Sequence, residues 1–212
     1  MVEIIRHTVG ILKSNSYLVY DEESKEGVFI DAGDNAPLLL NTLDKKGVKL
    51  KAILATHAHF DHVLAVKDIK EKKKVKFYLH REDLPILESM QERGKKYFNL
   101  DLPEPPKPDE LVDEGFEFYI GNYRLKLIHT PGHSPGSVCY LGEGILFSGD
   151  TLFKGSIGRT DLEGGNYELI VKSLKEKILT LKEDTKIFPG HGQDTTLFLE
   201  KRINPFLKRF IT

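Results

Sequence analysis

The sequence has little cysteine and no long apolar run, and each absence excludes a class of protein. Its single cysteine, Cys139, excludes an intrachain disulfide and suits a reducing compartment. The apolar neighbours in SVCYL predict a buried structural thiol, not a nucleophile. No apolar stretch approaches the roughly 18 residues that a membrane-spanning helix needs, and the start, MVEIIRHTVG, lacks the residue order of a signal peptide. We therefore expect a cytoplasmic protein with no membrane partner.

An excess of charge of one sign is also lacking. The 31 basic and 32 acidic residues give a formal net charge of -1, which provides no overall attraction for nucleic acid. The one basic run, KDIKEKKKVK at 67–76, is interpreted as the solvated end of a helix, with a phosphate-binding patch as the alternative. With 40% hydrophobic and 30% charged residues, the composition is typical of a globular chain with a substantial core.

Strand-like and helix-like segments alternate along the chain, which predicts an α/β fold with two stacked sheets flanked by helices. The predicted strands lie at 2–10, 16–20, 27–33, 48–56, 75–80, 116–121, 123–130, 137–144, 144–150 and 185–192. The predicted helices lie at 35–47, 60–73, 166–179 and 195–204. For the third helix we expect a mainly apolar face of Leu169, Val171, Leu174 and Ile178. The proline-rich segment 99–115 is predicted to be a long surface loop, which either borders a site or simply connects two elements.

Histidines and aspartates stand at the ends of the predicted strands. The stretch THAHFDH (56–62) places three of the eight histidines and an aspartate within six positions of one another. Four separate apolar runs stop, after a turn residue or two, at His57, His133, Asp150 and His191. The carboxyl ends of strands form the edge at which α/β folds bind ligands. The pattern therefore predicts a metal site at this edge.

The spacing of these residues favours two adjacent ions over one. One ion would be held by His57, His59 and His133, the other by Asp61, His62 and His191, and the two oxygens of Asp150 could bridge both. Imidazoles and carboxylates without a thiolate suit zinc, iron or manganese, and we predict zinc with the other two as alternatives. The remaining histidines, His7, His80 and His129, are interpreted as ordinary core or surface residues.

Four motifs resemble the metallo-β-lactamase superfamily: THAHFDH (56–62), TPGHSPGS (130–137), FSGDTLF (147–153) and PGHG (189–192). The resemblance runs along nearly the whole chain and implies an αββα sandwich with a dinuclear site between its sheets. It assigns His57, His59, His133 and Asp150 to the first ion, and Asp61, His62, Asp150 and His191 to the second. It also implies that Asp31, in VFIDAG, lies just behind the ligands.

Within that superfamily, GSIGRTD, PGHGQDTT and INPFL are most similar to the glyoxalase II group, which hydrolyses S-acylglutathione thioesters. Those enzymes continue past NPF with helices that help to hold glutathione, whereas this chain stops at Thr212. We therefore expect one compact domain, 1–212, without that extension. Where the group has a lysine and then a tyrosine, this chain has Arg159 and Asp161. Arg159 could meet a substrate carboxylate or form a surface ion pair.

The expected activity is hydrolysis of a small thioester such as S-lactoylglutathione, with Asp61 and Asp150 as the catalytic residues. Two ions would provide hydroxide at neutral pH, and Asp61 would accept a hydrogen bond from it. The main alternative is a persulfide dioxygenase with a single iron on His57, His133 and Asp150, and PGHG favours the hydrolases over it. A nuclease, a lactonase, a β-lactamase, a flavodiiron-type reductase and a metal-binding protein without activity are further alternatives. The full ligand set argues against the last.

Overall fold

The first half of the chain builds a six-stranded sheet in the computed structural model, which describes residues 1–210. Its strands, in spatial and chain order, are β1 (Val2–Val9), β2 (Ser14–Asp21), β3 (Glu26–Ile30), β4 (Lys49–Leu54), β5 (Lys76–His80) and β6 (Glu110–Val112). The pairs β1–β2 and β2–β3 are antiparallel, and the pairs from β3 to β6 are parallel. Residues 211 and 212 of the predicted domain lie outside the described part.

The second half builds a sheet of the same size. Its strands and those of a small hairpin are, in chain order, β7 (Glu117–Ile120), β8 (Tyr123–His129), β9 (Val138–Gly142), β10 (Ile145–Gly149), β11 (Leu152–Phe153), β12 (Ser156–Ile157), β13 (Lys186–Pro189) and β14 (Thr195–Thr196). The spatial order is β14-β13-β10-β9-β8-β7, and β11 and β12 form the separate hairpin. Of the strand pairs in this sheet, β10–β13 is parallel and the others are antiparallel.

The helices cover the outer faces of both sheets. They are α1 (Ala36–Lys46), α2 (Phe60–Val63), α3 (Val66–Lys73), α4 (Leu84–Glu88), α5 (Met90–Phe98), α6 (Tyr167–Ser173) and α7 (Leu197–Ile203). A π-helical turn, Leu174–Ile178, continues α6, and 3₁₀ turns occupy Arg81–Asp83 and Leu207–Arg209. Helices α1 to α5 pack on the first sheet, and α6 and α7 pack on the second.

Strand periodicity explains why the molecule has layers. In β2, Tyr17 and Val19 face the space between the sheets, whereas Leu18 packs under the helices. Strand β3 repeats this pattern, with Val28 and Ile30 inside and Phe29 outside. Strands buried on both faces read as continuous apolar runs, as these do. The predicted αββα sandwich of two mixed sheets is confirmed.

Several details differ from the sequence-based predictions. The helix predicted at 195–204 begins only at Leu197, because Thr195–Thr196 form β14 and pair with β13. The helix predicted at 60–73 is divided into α2 and α3, because the Ala65 amide between them donates to Ala32 O (3.0 Å) in the loop after β3. The prediction that 99–115 is a loop throughout is wrong at Glu110–Val112, which form β6 and pair with β5. No element was predicted for residues 84–98, which form α4 and α5. The predicted face of the third helix is wrong at Leu169, which is 41% exposed while Ile170 is buried instead, whereas Leu174 and Ile178 are buried as predicted and Val171 packs against them.

Three further predictions concern the thiol, the basic run and the membrane. Cys139 is buried as predicted, and burial raises the pKa of its thiol to about 11. The basic run lies largely in α3, where Lys70 and Lys73 form ion pairs with Asp109 (2.6 Å) and Asp44 (2.7 Å). Within residues 1–210, no helix combines the length and apolar character that crossing a membrane requires.

Candidate metal centre

Strand ends from both sheets meet at one edge of the sandwich, and the predicted ligands lie there. His57 follows β4 in the first sheet, whereas His133, Asp150 and His191 follow β8, β10 and β13 in the second. The short helix α2 begins after His59 and supplies Asp61 and His62. The structure therefore brings together all seven residues that the sequence singles out. Their roles as ligands remain predictions.

Hydrogen bonds fix the tautomers of two imidazoles so that their free nitrogens face each other. Thr56 Oγ1 donates its proton to Asp31 Oδ2 (2.8 Å), so it accepts from His57 Nδ1 (3.1 Å). His133 Nδ1 donates to the carbonyl oxygen of Arg159 (2.8 Å). Both Nε2 atoms are thereby left with lone pairs, and they lie only 3.3 Å apart in a buried position. Two facing lone pairs repel each other unless a cation lies between them.

The third nitrogen of this group comes from His59, whose Nδ1 lies 2.9 Å from His133 Nε2. The ligand atoms of His57, His59 and His133 all lie within 4.8 Å of one another, which is the spacing of donors around one ion. The geometry fits a cation held by three imidazoles.

A second group of donors lies beside the first. His62 Nδ1 donates to Asp31 Oδ2 (2.7 Å), which leaves its Nε2 buried and without a hydrogen-bond partner in the described part of the chain. That Nε2 lies 3.5 Å from Asp61 Oδ2, and the same oxygen lies 3.0 Å from His191 Nε2. An unpartnered buried imidazole nitrogen is costly unless it binds a cation. This group therefore also fits a metal ion.

Asp150 lies between the two groups. Its Oδ1 is 3.6 Å from His62 Nε2, and its Oδ2 is 3.6 Å from His133 Nε2. Each carboxylate oxygen thus faces a different group, as a bridging ligand requires. The backbone is packed tightly at this point: a Cβ atom added to Gly190 would lie 2.2 Å from Asp150 Oδ1. Only glycine leaves room for the carboxylate here.

The charges of the cluster divide its imidazoles into two kinds. Burial lowers the pKa of His57 and of His59 well below the usual value, so both are neutral. Burial also disfavours charge on His62, but the carboxylates of Asp61 and Asp150 outweigh it and raise the pKa to about 9. Despite burial, hydrogen bonds with the same two carboxylates raise the pKa of His191 to about 10. The second group thus collects positive charge, and a dication can supply that charge in place of protons.

Asp31 lies directly after β3 and beside the His/Asp cluster, and its role behind a metal site stays a prediction. It has a left-handed backbone conformation, with φ 57°. Its carboxylate accepts from the Thr56 amide (2.7 Å) and hydroxyl as well as from His62. One buried carboxylate therefore orients His62 directly and His57 through Thr56, which is how residues behind a metal site usually tune it.

Sequence analysis missed a second buried carboxylate, Asp83, which joins the two ligand loops. It accepts from the Ala58 amide (2.7 Å), between His57 and His59, and from the Gly136 amide (2.6 Å) and the Ser134 hydroxyl (2.9 Å), just after His133. A single aspartate inside REDLPIL carries no signal of this role. Only the tertiary structure shows that α4 begins beside both loops.

The three remaining histidines lie outside the cluster. His7 Nε2 contacts the hydroxyl of Thr42 (3.0 Å). The rings of His80 and His129 stack at 4.0 Å with an interplanar angle of 19°. Burial, together with the neighbouring His129, lowers the pKa of His80 to about 4. One donor atom each from His80, Glu82 and His129 lie within 4.8 Å of one another, but His129 Nε2 donates to the carbonyl oxygen of Pro135 (2.8 Å).

A cavity opens directly on the cluster, with His59, Asp61, His133, Asp150 and His191 at its base. The other walls are mainly apolar and comprise Leu12, Phe60, Ile86, Met90, Phe98 and Leu162. Arg93 and Tyr97 of α5, which the sequence analysis also missed, line the same cavity. Arg159 lies there too, and its guanidinium makes a two-pronged ion pair with Asp161 (2.7 and 2.8 Å). Segment 99–115 contributes none of the lining residues.

The architecture and this cluster define a class of metal-dependent enzymes. A family model described as the metallo-beta-lactamase superfamily matches residues 9–191, and the chain belongs to that superfamily. Membership supports a hydrolase that acts on a small molecule with the help of metal ions.

Individual relatives match over nearly the whole chain. The hydroxyacylglutathione hydrolase GloC of Haemophilus influenzae is 36% identical over 210 residues, which cover 97% of each protein. The crystal structure of the BLEG-1 B3 metallo-beta-lactamase is 38% identical, with a TM-score of 0.90 over 98% of this chain and 99% of that one. The protein TTHA1623, crystallised in a di-iron-bound form, is 41% identical, with a TM-score of 0.87 over 96% of this chain and all of that one.

Proposed function

We propose that this protein is a metal-dependent thioester hydrolase that acts on S-acylglutathione, with S-lactoylglutathione as a representative substrate. The observation that carries the proposal is the cavity, whose base is the His/Asp cluster and whose walls are apolar. A thioester needs its carbonyl at the cluster and its short acyl chain and sulfur against apolar side chains. The near full-length similarity to a hydroxyacylglutathione hydrolase supports glutathione as the thiol carrier.

Two divalent ions are part of the proposal. His57, His59 and His133 would hold one, Asp61, His62 and His191 the other, and Asp150 both. We propose zinc, and this donor set also accepts iron or manganese. When bound, such ions supply a hydroxide at neutral pH and stabilise negative charge on a carbonyl oxygen.

The chain's own residues prepare the reacting groups. Asp61 lines the cavity and is proposed to accept a hydrogen bond from the attacking water, which would orient the oxygen towards the carbonyl carbon. Asp150, also at the cavity base, would hold the two halves of the cluster together. Asp31 keeps the proton of His62 on Nδ1 and so keeps Nε2 free towards the cluster. The apolar walls would exclude bulk water from the thioester.

Hydrolysis of S-lactoylglutathione tests the proposal directly. Protein stripped of metal and then loaded with zinc, iron or manganese is assayed by loss of the thioester absorbance, and the stripped protein is the control. Rapid turnover with at least one metal, absent from the control, is the expected result. No turnover with any metal would reject the glutathione thioester.

The same preparations distinguish the alternatives. Oxygen consumption by the iron-loaded protein with glutathione persulfide would indicate a dioxygenase, and hydrolysis of a chromogenic cephalosporin would indicate a β-lactamase. The cytoplasmic location and the absence of a nucleic-acid partner stay predictions from the sequence.

A further inference from the structure

An arginine of helix α5 is enclosed in the wall of the cavity. The side chain of Arg93 is only 11% exposed, and it lines the space that opens on the metal cluster. Beside it lies the ring of Tyr97, 5.6 Å from the guanidinium carbon. A charge in such a partly desolvated position is stabilised by an anion that can reach it.

The guanidinium of Arg93 uses few of its donors. It carries five N–H groups, yet within residues 1–210 it makes one hydrogen bond, from Nη2 to the carbonyl oxygen of Glu163 (3.1 Å). Its Nη1 lies 3.7 Å from the Glu163 carboxylate, which is beyond hydrogen-bond distance. Most of the donors therefore remain available to a ligand in the cavity.

The carboxylate of Glu163 is a weak partner that a ligand can replace. Its side chain is 66% exposed, so water screens its charge. The same oxygen is shared with the hydroxyl of Tyr97 (3.4 Å) and the ammonium of Lys96 (3.5 Å). A substrate carboxylate inside the cavity would be less hydrated and would meet Arg93 in a two-pronged geometry.

The other arginine of the cavity is in a different situation. Arg159 is 54% exposed, and both prongs of its guanidinium are occupied by Asp161. A substrate carboxylate could bind Arg159 only by displacing Asp161 from both hydrogen bonds, whereas the Glu163 carboxylate makes no hydrogen bond with Arg93. The sequence had suggested Arg159 as a group that could meet a substrate carboxylate. The structure favours Arg93 for this role instead.

We propose that Arg93 determines substrate specificity by binding a carboxylate of the thiol carrier. The inference rests on the proposed thioester hydrolysis and specifies its substrate class: thioesters whose thiol part bears a carboxylate, as glutathione does. The acyl chain and sulfur would lie on the apolar walls, while α5 presents the charge that recognises the carrier.

Paired substrates test this inference. S-Lactoylglutathione carries carboxylates on its thiol part, whereas S-lactoyl-N-acetylcysteamine presents the same acyl group without them. For Arg93→Gln we expect kcat/KM to fall about 10- to 100-fold on the first, mainly through KM, and less than about 3-fold on the second. Arg93→Lys keeps the charge without the planar fork and should give an intermediate loss. Equal losses on both substrates would show a merely structural role and overturn the proposal.

Two further variants sharpen the assignment. Arg124→Gln removes an exposed arginine of β8 that pairs with Glu117, and it should leave both substrates unaffected. Arg159→Gln should change the ratio of the two kcat/KM values less than Arg93→Gln does. A larger change for Arg159→Gln would overturn the assignment to Arg93.

Binding without turnover separates this inference from the proposed function. Calorimetry with S-hexylglutathione, which cannot be hydrolysed, and with its diethyl ester measures carboxylate recognition alone. We expect wild-type protein to bind the free acid at least about 10-fold more tightly than the ester, and Arg93→Gln to lose that difference. One outcome is that wild-type protein hydrolyses neither thioester and still binds the free acid more tightly than the ester, with Arg93→Gln losing that difference in affinity. In that case the proposed function fails and the role of Arg93 stands. If the free acid and the ester bind equally, the inference fails.

Discussion

The His/Asp cluster and the cavity wall formed by α5 and residues 158–165 are held together in different ways. In the cluster, buried donors and acceptors from five strand ends form a continuous network, and His57 and His62 are 1% and 0% exposed. The wall, formed by α5 and residues 158–165, is joined across its two parts by Glu163, whose carboxylate is exposed and shared among three partners.

This contrast assigns different tasks to the two regions. Buried, fully oriented ligands fix the reaction centre and tolerate little change. Solvent-screened contacts cost little to rearrange, so the wall can exchange its own carboxylate for that of a substrate. We expect substitutions in the cluster to abolish activity and substitutions in the wall to redistribute it among substrates.

The largest expected effect is that of Asp150→Asn. An amide cannot offer two anionic oxygens to two cations, so the variant should bind less metal and lose at least about 100-fold in kcat/KM. The measurements are metal content per chain and thioester hydrolysis at limiting metal. Asp44→Asn, which changes an exposed carboxylate paired with Lys73, is the matched control. Activity of Asp150→Asn within a few-fold of wild type would contradict the dinuclear assignment.

Asp83→Ala is expected to have the next largest effect, because it removes the link between the two loops of candidate ligands without changing a candidate ligand. We expect metal affinity to fall about 10- to 100-fold, as is usual for residues behind a metal site. Asp83→Asn keeps one acceptor oxygen and should lose less. Competition with a chromophoric chelator measures the affinity, and circular dichroism checks the fold.

The control for this prediction is Asp113→Ala, which removes an exposed carboxylate that pairs with Arg81. Unchanged metal affinity in folded Asp83→Ala would show that the two loops hold their positions without it.

The sequence allowed the clustering of the candidate ligands to be predicted for a physical reason. Four of the seven candidate ligands follow apolar runs, and strands of this kind end at a common edge, so the sequence pattern alone places His57, His133, Asp150 and His191 together. Asp31, which directly follows β3, was not part of that argument and was predicted from the family resemblance. The placement of the other four residues used only local patterns and one rule of topology.

The wall could not be predicted in this way. Residues 81–98 have neither a strand pattern nor a clear helix start, and whether Asp83 or Arg93 faces the site depends on how α4 and α5 pack on the first sheet. The predicted face of the third helix was wrong at Leu169 for a related reason. Ile170, Leu174 and Ile178 lie four apart and share one side, whereas Leu169 is turned about 100° away from Ile170. Several apolar residues in one turn leave the buried side ambiguous.

A smaller effect should appear in the pH dependence of stability of the metal-free protein. The pKa values of His62 and His191 are raised to about 9 and about 10 in the folded state, against 6.5 in an unfolded chain. Their contribution is complete below pH 6.5, decreases as the pH rises above that value, and is lost once the pH has passed 9 to 10. The free energy of unfolding should therefore decline between pH 6.5 and pH 10. Urea unfolding with chelator present measures it.

The controls for the pH prediction separate the cluster from the rest of the molecule. His191→Gln should flatten the decline, whereas His7→Gln, which changes a histidine that contacts Thr42 outside the cluster, should keep it. Bound metal replaces the protons and should remove the decline as well. A metal-free protein whose stability rises from pH 7 to 10 would contradict the charge distribution described for the second group.

The smallest expected effect is that of Glu163→Gln, which changes the carboxylate that links α5 to residues 158–165. Because this carboxylate is exposed, its loss should lower the free energy of unfolding by less than about 1 kcal/mol. It also removes the anion that competes for Arg93, so KM for S-lactoylglutathione should stay unchanged or fall about 2-fold, with kcat little altered. Steady-state kinetics with Glu117→Gln as the control measure this. A rise in KM of about 10-fold or more would show that Glu163 holds the wall in its working position, and the contrast between a fixed centre and an adaptable wall would then be wrong.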